Sequence, residues 1–547
     1  MTTAPDRSAA PTAAPLRIEA GPAALAAHRA LNQDTDTPYP DLGVKELFEA
    51  QAARRPRATA LVHEGGRLDY AALNGLANDL AETMRSAGVR PGDTVTVLIG
   101  RSAELIIALL ATVKCGGTYL PADADWPDER LRALLDRTGS VHVLGRAGDL
   151  DALAARLPGR RFLPVERDRL TEREQAPAHR GSPDDIAYIN FTSGSTGVPK
   201  GVPIRHRSIV RLVHRARYCR LDEESVLLQL APVSFDAATF EIWGALLHGA
   251  TLVLYPSSFV SLGRLRRVLT EHRVTVVFLT TALFNTVVDE APDTLAGVRT
   301  VLTGGEAHSL THMATALRIY GPDRVVSVYG PTECTTFATY HPVRALDRDE
   351  SSLPIGRPIQ NTRAYVVRDG HLCPPGDPGE VLLAGPGLSP GYLGLPEATA
   401  RHFVDAEVDG VPERLYRTGD RAFLSERGHL VFQGRLDDQV KINGFRVELG
   451  EVAYHLDAQP AVRRSFVTTR PNRQGGRELV AFVVPDTADC DPETLRAHLR
   501  QRLPHYLVPT VLRLRADLPL TATGKVDRSA LLAGLDAPAA AVEGGAS

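Results

Sequence analysis

The segment at residues 191–201 contains the residues best suited to bind a chain of phosphates. It reads Phe-Thr-Ser-Gly-Ser-Thr-Gly-Val-Pro-Lys-Gly and follows a strand-like apolar run at residues 185–190. Glycines allow backbone N–H groups to turn toward an anion, hydroxyl groups add donors, and Lys200 adds a positive charge. The sequence therefore predicts a loop that holds a polyphosphate. Its expected phosphate ligands are Thr192, Ser193, Gly194, Ser195, Thr196, Gly197 and Lys200.

Two other interpretations of this segment compete with a specific phosphate loop. Clusters of Gly, Ser and Thr commonly form polar surface loops. The ordinary P-loop needs Gly, four residues and then Gly-Lys-Ser/Thr, and the spacing of Gly194, Gly197 and Lys200 does not match it. The sequence therefore disfavours a P-loop kinase or ATPase.

Two further motifs carry groups that suit a nucleotide. Residues 329–333, Tyr-Gly-Pro-Thr-Glu, follow a predicted strand and offer an aromatic face for a base, a hydroxyl for phosphate and a carboxylate for a metal ion. Residues 416–420, Tyr-Arg-Thr-Gly-Asp, place the Asp420 carboxylate after a glycine turn. An ordinary turn is the alternative for each motif. A nucleoside triphosphate would also need a divalent ion to offset its charge.

Asp236 and Lys525 are charged residues whose contexts suit chemistry at a carboxylate. Asp236 lies among apolar residues at 235–243, and its burial is costly without a cationic partner. The alternative for Asp236 is a cap on the following helix. Lys525 follows a glycine in the segment 519–528, and its alternative is an exposed lysine. A cation between an attacking carboxylate and a phosphate would offset their repulsion.

The bulk composition limits the classes of function. At 547 residues the chain exceeds one ordinary domain, and its 43% hydrophobic content provides for a large core. A net charge of −3 gives no sign of a nucleic-acid partner. The five cysteines lack paired spacing, which argues against a disulfide framework or a zinc site and suits the cytoplasm. The sequence shows no apolar run of the ~18 residues that a membrane span needs, so no membrane partner is expected.

The order of the elements predicts an α/β fold. Short β-branched runs alternate with longer amphipathic runs. Three predicted strands run into polar loops at residues 281–282, 303–306 and 330–333, and ligands of open α/β sheets bind beyond such strand ends. These loops are therefore expected to meet at one cleft.

The two ends of the chain differ in composition from the rest. Residues 1–35 are rich in Ala and Pro, and residues 532–547 are rich in Ala. We expect both to be disordered or linker-like. The residues that precede 532, from about 437, alternate strands and helices in a pattern typical of a small α/β domain.

Together these motifs closely resemble the adenylate-forming superfamily, in particular the adenylation domains of nonribosomal peptide synthetases. The resemblance covers roughly residues 40 to 530, with the motifs in the family's order. It implies an α/β fold with a large N-terminal domain of mixed α/β sheets plus a β-rich subdomain, and a small mobile C-terminal α/β domain. The implied domains are residues 36–436 and 437–531, with Asp437 or Asp438 as the hinge.

The resemblance implies a nucleotide site for ATP and Mg²⁺. Tyr329 would stack on adenine, Thr332 would contact the α-phosphate and Glu333 would help to hold Mg²⁺. Asp420 would bind both ribose hydroxyls, and Arg435 would also approach the ribose. The other implied nucleotide contacts, besides the phosphate loop, are Gly305, Glu306 and Gly330.

The resemblance implies that two lysines serve two successive steps. Lys525 would bridge the substrate carboxylate and the α-phosphate during adenylation. Lys441, in the segment 437–450, would line a tunnel for a thiol in the second step, although this segment could also be a polar linker followed by a hairpin. Each lysine would reach the site only if the small domain rotates between the steps.

The implied substrate is an apolar amino acid. Asp236 would pair with its α-ammonium, and the remaining pocket positions lack a charged group apart from Lys525. This pattern resembles pockets for Ile or Val, with Leu close behind, while an aromatic or nonproteinogenic amino acid stays open. The implied substrate contacts are Asp236, Ala237, Phe240, Ala282, Leu302, Gly304, Val328, Thr336, Phe337 and Lys525.

The implied reaction joins an amino acid to AMP, releases pyrophosphate, and then passes the acyl group to the phosphopantetheine thiol of a carrier protein. The sequence shows no carrier domain after residue 531, so a stand-alone enzyme or an excised domain with a carrier in trans is expected. A small MbtH-like protein assists some relatives, and nothing in the sequence requires one. The alternatives are an acyl- or aryl-CoA ligase of the same superfamily and a non-catalytic interaction module.

Overall fold

The structure is a computed structural model. It describes residues 15–194, 199–346, 352–437, 439–442, 444–472, 477–487, 489–520 and 526–535. Three expected site residues of the phosphate loop, Ser195, Thr196 and Gly197, therefore lie outside the described residues, as do Asp438 and Lys525. No described helix is long and apolar enough to cross a membrane.

The described residues form strands and helices in an alternating order. The strands are β1 (Leu16–Ile18), β2 (Thr59–His63), β3 (Gly66–Asp69), β4 (Thr94–Leu98), β5 (Thr118–Pro121), β6 (His142–Gly145), β7 (Arg161–Pro164), β8 (Ile186–Thr192), β9 (Lys200–Arg205), β10 (Val226–Gln229), β11 (Thr251–Leu254), β12 (Val276–Thr280), β13 (Thr300–Gly304), β14 (Val325–Tyr329), β15 (Thr339–Pro342), β16 (Arg357–Pro358), β17 (Arg363–Arg368), β18 (His371–Leu372), β19 (Gly379–Ala384), β20 (Phe403–Val408), β21 (Val411–Leu424), β22 (Leu430–Arg435), β23 (Gln439–Ile442), β24 (Phe445–Glu448), β25 (Val462–Pro471), β26 (Arg477–Pro485) and β27 (Val511–Leu514). The helices are α1 (Pro22–Leu31), α2 (Val44–Arg54), α3 (Tyr70–Ser86), α4 (Ala103–Lys114), α5 (Asp128–Thr138), α6 (Leu150–Arg156), α7 (His206–Val213), α8 (Ala237–Leu246), α9 (Leu262–Glu271), α10 (Thr281–Glu290), α11 (Leu310–Tyr320), α12 (Pro396–His402), α13 (Leu449–Asp457), α14 (Pro492–Arg500) and α15 (Arg528–Ala533).

Two sheets form the body of the large N-terminal part. One has the strand order β7-β6-β4-β5-β8-β9, and the other has the order β16-β15-β14-β13-β12-β10-β11-β2-β3. Helices such as α4 and α8 are apolar on nearly every side and are buried between the layers. The predicted phosphate loop connects β8 to the antiparallel strand β9, which begins at Lys200.

The strand ends that were expected to meet do meet. Strands β12, β13 and β14 are parallel neighbours, and their registers pair Thr280 with Gly304 and Gly304 with Val328. Their carboxyl ends therefore lie side by side at one edge of the sheet. One detail of the prediction was wrong: residues 281–282 begin helix α10 instead of a loop, because the Thr280 hydroxyl accepts a hydrogen bond from the backbone N–H of Leu283 and caps the helix.

A third, largely antiparallel sheet has the order β1-β20-β21-β19-β17-β18, with β22 paired to β21. Strands β21 and β22 place Asp420 directly opposite Arg435. This sheet also corrects, for residues 15–35, the expectation that residues 1–35 are disordered or linker-like, because β1 pairs with β20 and helix α1 follows; residues 1–14 lie outside the described residues. Ile18, Ala24 and Leu31 are buried, so the Ala-rich composition reflects a helix packed against the sheet.

The C-terminal part has its own core and two small sheets. Strands β23 and β24 form an antiparallel hairpin, and β25, β26 and β27 form the second sheet. Helices α13 and α14 pack with these strands around a core that includes Val447 and Leu499. The predicted flexible tail from 532 is corrected at its start, since Leu532 and Ala533 complete helix α15; residues 536–547 lie outside the described residues.

Candidate active site

A cavity of about 290 Å³ lies where the strand ends of the large part face the β23–β24 hairpin. The large part contributes residues of the phosphate loop, of the carboxyl ends of β12, β13 and β14, and of the segments that follow these strands. The hairpin contributes Lys441, Gly444, Phe445 and Arg446 from the opposite side. The charged residues that line the cavity are Asp236, Asp420, Arg435, Lys441 and Arg446.

The described part of the phosphate loop contacts the hairpin. The Ser193 hydroxyl donates to the backbone carbonyl of Arg446 at 2.8 Å and accepts from the backbone N–H of Glu448 at 3.2 Å. Thr192 and Ser193 line the cavity. Lys200 lies at the start of β9 and is not part of the lining; its Nζ is 5.4 Å from the centre of the Tyr392 ring.

Glu333 is completely buried and forms an ion pair across the cleft. Its two carboxylate oxygens each lie 2.8 Å from Nη1 of Arg446, and Oε1 also accepts from the Tyr392 hydroxyl at 2.7 Å. Burial alone would raise the pKa of Glu333, but the Arg446 charge and the Tyr392 hydrogen bond outweigh it and lower the pKa to about 2. Glu333 is therefore ionised.

The predicted ribose and adenine residues form one hydrogen-bonded group. Asp420 accepts from the Tyr329 hydroxyl and, at 2.6 Å, from Nη1 of Arg435. Arg435 in turn donates to both oxygens of Asp437, at 2.6 and 2.8 Å. Burial alone would lower the pKa of Arg435, but Asp437 and Asp420 raise it, so the guanidinium stays charged. The expected hinge residue Asp437 thus also holds Arg435 in place.

Asp236 lies at the entrance of helix α8 and faces the cavity. Its side chain does not cap the helix; its Oδ2 accepts a hydrogen bond from the Thr332 hydroxyl at 2.6 Å. Burial raises the pKa of Asp236, and the Thr332 hydrogen bond and the Lys441 charge oppose this rise. The capping alternative is therefore wrong, and the carboxylate is placed to receive a cation from the cavity.

The comparisons with known proteins agree with this arrangement. The family of AMP-binding enzymes matches residues 48–393, and the C-terminal domain of AMP-binding enzymes matches residues 451–525. The chain belongs to the AMP-binding enzymes. Among them it is similar to a linear gramicidin synthase protein of Brevibacillus parabrevis, at 42% identity over 91% of this chain and 6% of that protein.

Other relatives place this AMP-binding enzyme with the adenylation domains of nonribosomal peptide synthetases. Surfactin synthase subunit 1 of Bacillus subtilis is 39% identical over 90% of this chain and 14% of that protein. The solved structure of holo-PA1221, a synthetase protein with adenylation and carrier domains bound to a vinylsulfonamide inhibitor, has a TM-score of 0.83 at 34% identity and covers 92% of this chain and 86% of that one. The chain thus spans a small fraction of the curated synthetases that it matches.

The cavity of this AMP-binding enzyme is lined by some of the expected substrate contacts and not by others. Those that line it are Asp236, Ala237, Gly304, Val328, Thr336 and Phe337. Phe240, Ala282 and Leu302 do not. Phe278, Thr280 and Leu283 line it instead.

Strand and helix geometry explain which residues reach the cavity. Phe278 and Thr280 lie two residues apart on β12, and alternate residues of a strand share a face. Ala282 lies in the first turn of α10, where its neighbour Leu283 reaches the cavity instead. Phe240 and Leu302 are buried in the core, and the ring of Phe240 packs 5.3 Å from that of Phe337, so they support the pocket wall from behind.

Of the expected nucleotide residues after β13 and β14, some line the cavity and others do not. Gly305 and Gly330 line the cavity, whereas Glu306 does not. Oε1 of Glu306 instead accepts from the backbone N–H of Gly444 at 2.7 Å and joins the loop to the hairpin. Tyr329 is not part of the lining, although its hydroxyl reaches Asp420.

Arg211 is a site-supporting residue that the sequence did not reveal. It is fully buried on α7 and donates to the backbone carbonyls of Cys334 and Phe337, at 3.3 and 2.8 Å. Between these carbonyls, Thr335 and Thr336 have φ of 52° and 68°, a conformation that is strained for β-branched residues. Arg211 thus holds the strained loop that brings Thr336 and Phe337 to the pocket.

A metal ion does not fit Glu333 in this arrangement, because Arg446 already contacts both carboxylate oxygens. Among the described residues, no group of three or more His, Cys, Asp or Glu side chains could hold a metal ion. Lys441 lines the cavity, with its Nζ 5.9 Å from the centre of the Tyr329 ring, and burial lowers its pKa.

Proposed function

We propose that this chain activates an apolar amino acid with ATP and passes it to a carrier protein. In the first step, an oxygen of the amino-acid carboxylate bonds to the α-phosphorus of ATP and pyrophosphate leaves. In the second step, the carrier thiol loses its proton and its sulfur bonds to the acyl carbon, and AMP leaves. The placement of Asp236 carries the proposal, because an amino acid can supply the cation that this carboxylate requires.

The pocket supports an apolar side chain on the substrate. Phe278, Leu283, Val328 and Phe337 contribute apolar surface to the cavity. Each charged lining residue already has a role or a partner: Asp236 faces the ammonium, Asp420 and Arg435 pair with each other, Arg446 pairs with Glu333, and Lys441 approaches from the hairpin. No charge in the described lining remains for a charged substrate side chain. Ile, Val and Leu are therefore favoured.

The residues divide the work between the two steps. Asp236 fixes the ammonium, and Asp420 with Arg435 fixes the ribose, so that the reacting atoms are held in position. In the observed arrangement Lys441 is inside the cavity, where its charge would stabilise the oxygen that becomes negative during thiol attack. Lys525, outside the described residues, is proposed for the first step on the basis of the resemblance alone.

The proposed partner is a carrier protein that acts in trans. An MbtH-like protein, which assists some members of the family, is a further candidate partner. Mg²⁺ is proposed to accompany ATP, since a triphosphate needs its charge offset. The solved relative holo-PA1221 contains a carrier domain, which supports a carrier as the acceptor.

Amino-acid-dependent ATP–pyrophosphate exchange tests this function. We would measure exchange with every proteinogenic amino acid, 2-aminobutyrate, several β-amino acids and aryl acids. Exchange that is strongest with Val, Ile or Leu supports both the reaction and the apolar pocket. Exchange only with acids that lack an α-amino group would contradict the role of Asp236 and favour an acyl- or aryl-CoA ligase.

A further inference from the structure

Strand β8 carries three polar side chains on one face as it approaches the cavity. Tyr188, Asn190 and Thr192 are alternate residues of the strand, so their side chains share a face. The residue between the first two, Ile189, belongs to a different core cluster from Tyr188. All three polar residues are buried, and Asn190 is only 3% exposed. Asn190 and Thr192 also line the cavity.

The Asn190 amide and the Thr192 hydroxyl each contain a buried oxygen that lacks a partner. Neither Oδ1 of Asn190 nor Oγ1 of Thr192 has a hydrogen-bond partner among the described residues. A buried polar atom in this state is unfavourable and calls for an explanation. Thr192 is an expected phosphate ligand, so ATP would provide its partner. Asn190 has no expected role, and its partner must be found among the groups that enter the cavity.

A buried, unpaired amide oxygen does not by itself mark a binding site. Asn285 of helix α10 also has an unpaired Oδ1 and is 5% exposed. The two residues differ in position, because Asn190 lines the cavity and Asn285 does not. A ligand in the cavity can therefore reach the amide of Asn190 but not that of Asn285.

Asn190 lies level with the start of helix α8. Two residues earlier on the strand, the Tyr188 hydroxyl accepts from the Thr239 hydroxyl of α8 at 2.8 Å. Asn190 and Asp236 line the cavity whereas Tyr188 and Thr239 do not, so strand and helix approach it in the same direction. From this contact the strand advances about 6.6 Å to Asn190, and the helix about 4.5 Å to Asp236. The amide therefore lies on the Asp236 side of the cavity.

A substrate ammonium needs more acceptors than Asp236 offers. An ammonium has three N–H donors, and Oδ2 of Asp236 already accepts from the Thr332 hydroxyl. An N–H of the ammonium that enters a buried site without an acceptor is unfavourable. The amide oxygen of Asn190 is a neutral acceptor, so it adds a hydrogen bond while Asp236 alone balances the charge.

We propose that Asn190 is a specificity-determining residue that accepts a hydrogen bond from the substrate α-ammonium beside Asp236. This inference rests on the proposed function and adds a residue to the recognition of the amino acid. Binding of the ammonium also gives the buried Oδ1 its missing partner. The preference for an α-amino acid over an acid without the amino group is thus shared between a carboxylate and an amide.

Two non-reactive analogues of the acyl adenylate test the proposal. One is the aminoacyl sulfamoyladenosine of the amino acid that gives the strongest exchange, and the other has hydrogen in place of its α-amino group. Titration calorimetry with the full chain measures both dissociation constants. Asn190→Leu should weaken the amino analogue about tenfold to hundredfold, the usual effect of a hydrogen bond to a charged group. The analogue without the amino group should change less than twofold.

Either of two results would overturn the proposal. One is an unchanged affinity of Asn190→Leu for the amino analogue. The other is an equal loss for both analogues, which would indicate a distorted cavity. Asn190→Ala also lacks the acceptor and gives the same test if leucine does not fit at this position.

Two further variants separate the acceptor from the shape of the side chain. Asn285→Leu makes the same replacement at a buried, unpaired amide outside the cavity, and both affinities should match the wild type. Asn190→Asp keeps an acceptor oxygen in a side chain of the same shape and should retain the preference for the amino analogue within about threefold. Loss of the preference in Asn190→Asp as large as in Asn190→Leu would contradict the role of the acceptor.

The same titrations separate this inference from the proposed function. A wild type that binds both analogues equally would reject ammonium recognition at Asp236 and with it the proposed function. A wild type that prefers the amino analogue, together with an equal preference in Asn190→Leu, would reject only the role of Asn190. Unchanged affinities with slower transfer to the carrier thiol would assign Asn190 to the carrier arm and overturn the proposal.

Discussion

The two faces of the cavity are held in different ways. On the large part, the site loops follow parallel strands of one sheet, and Asp420 and Arg435 are paired directly across neighbouring strands. On the hairpin, the residues directly opposite each other are Lys441 and Arg446, which carry the same charge. Like charges in this position destabilise a strand pair. The hairpin face therefore needs anions from across the cleft, and the large face provides Glu333 opposite Arg446.

This difference explains where each face is anchored. The hairpin turns Ile442 and Val447 into the core of the C-terminal part and presents Lys441 and Arg446 to the cavity. Its anchoring is apolar on one side and ionic on the other. Residues of the large face should therefore control substrate recognition, and those of the hairpin should control which step can occur.

Removal of the Asp236 carboxylate should produce the largest effect. Asp236→Ala would leave the substrate ammonium without its partner in a buried site, and loss of one member of such a pair costs roughly 2–5 kcal/mol. We expect kcat/KM for the amino acid in ATP–pyrophosphate exchange to fall about 10²–10³-fold. The KM for ATP should change little, and an equal loss for ATP would indicate a collapsed site instead of a lost ammonium contact.

Lys441→Ala should separate the two steps. The lysine lies in the cavity only because the hairpin is docked, and loss of a preorganised cation near a developing oxyanion typically costs about 10²-fold in rate. We expect transfer to a phosphopantetheine thiol to fall by that factor while amino-acid-dependent exchange is largely retained. Single-turnover assays of each step would measure this, and equal losses in both steps would contradict the division between the faces.

The Arg130–Glu451 pair provides a matched comparison with Arg446–Glu333. Both pairs cross the cleft, and Arg130, Glu451 and Glu333 are buried while Arg446 is half-buried. Neither Arg130 nor Glu451 is part of the cavity lining. Arg130→Met alone should weaken docking by up to about 3–5 kcal/mol, because it leaves Glu451 unpaired, and Arg130→Met with Glu451→Met should restore most of it.

Amide hydrogen exchange in α13 would measure this docking. The corresponding double replacement at Glu333 and Arg446 should restore docking without restoring ATP–pyrophosphate exchange activity, since the resemblance also implies that Glu333 helps to hold Mg²⁺. Equal recovery of activity by both double variants would remove the distinction between the two pairs.

The sequence predicted where the cavity of the large face lies better than it predicted which residues line that cavity. The meeting of the strand ends and the position of Asp236 at the cavity could be predicted because each lies in a contiguous motif, whereas phosphate binding by residues 191–201 stays a prediction. Phe278 was missed because the family pattern points to Ala282, although the alternation along β12 places residues 278 and 280 on one face. A check of the strand period would have found it.

Other features depend on contacts between distant parts of the chain. Arg211 supports the pocket through backbone carbonyls more than 120 residues away, and no local pattern indicates which carbonyls it will reach. The first strand looks like a linker in the sequence because its partner, β20, lies almost 400 residues later. The ion pairs across the cleft were likewise invisible, since they require the placement of the two parts relative to each other.

The smallest predicted effect is a loss of folding stability of the large part at acid pH, which we attribute to His206. Burial lowers the pKa of His206 to about 4, and its Nδ1 accepts from the backbone N–H of Val44 at 3.4 Å. The folded state thus holds this imidazole neutral, whereas the unfolded pKa is near 6.5. The contribution is fully present above pH 6.5 and is lost as the pH falls toward 4, by at most about 1.4 kcal/mol per pH unit.

Urea unfolding at a series of pH values would measure this loss, and His206→Asn should make the free energy of unfolding less dependent on pH between 6.5 and 4. His371→Asn is the matched control, because it replaces an exposed histidine in the same way. In the C-terminal part, burial also lowers the pKa of His455 and His498, so these histidines should add to the acid sensitivity in the same direction. Equal slopes for wild type and His206→Asn would show that the acid sensitivity of the large part arises elsewhere.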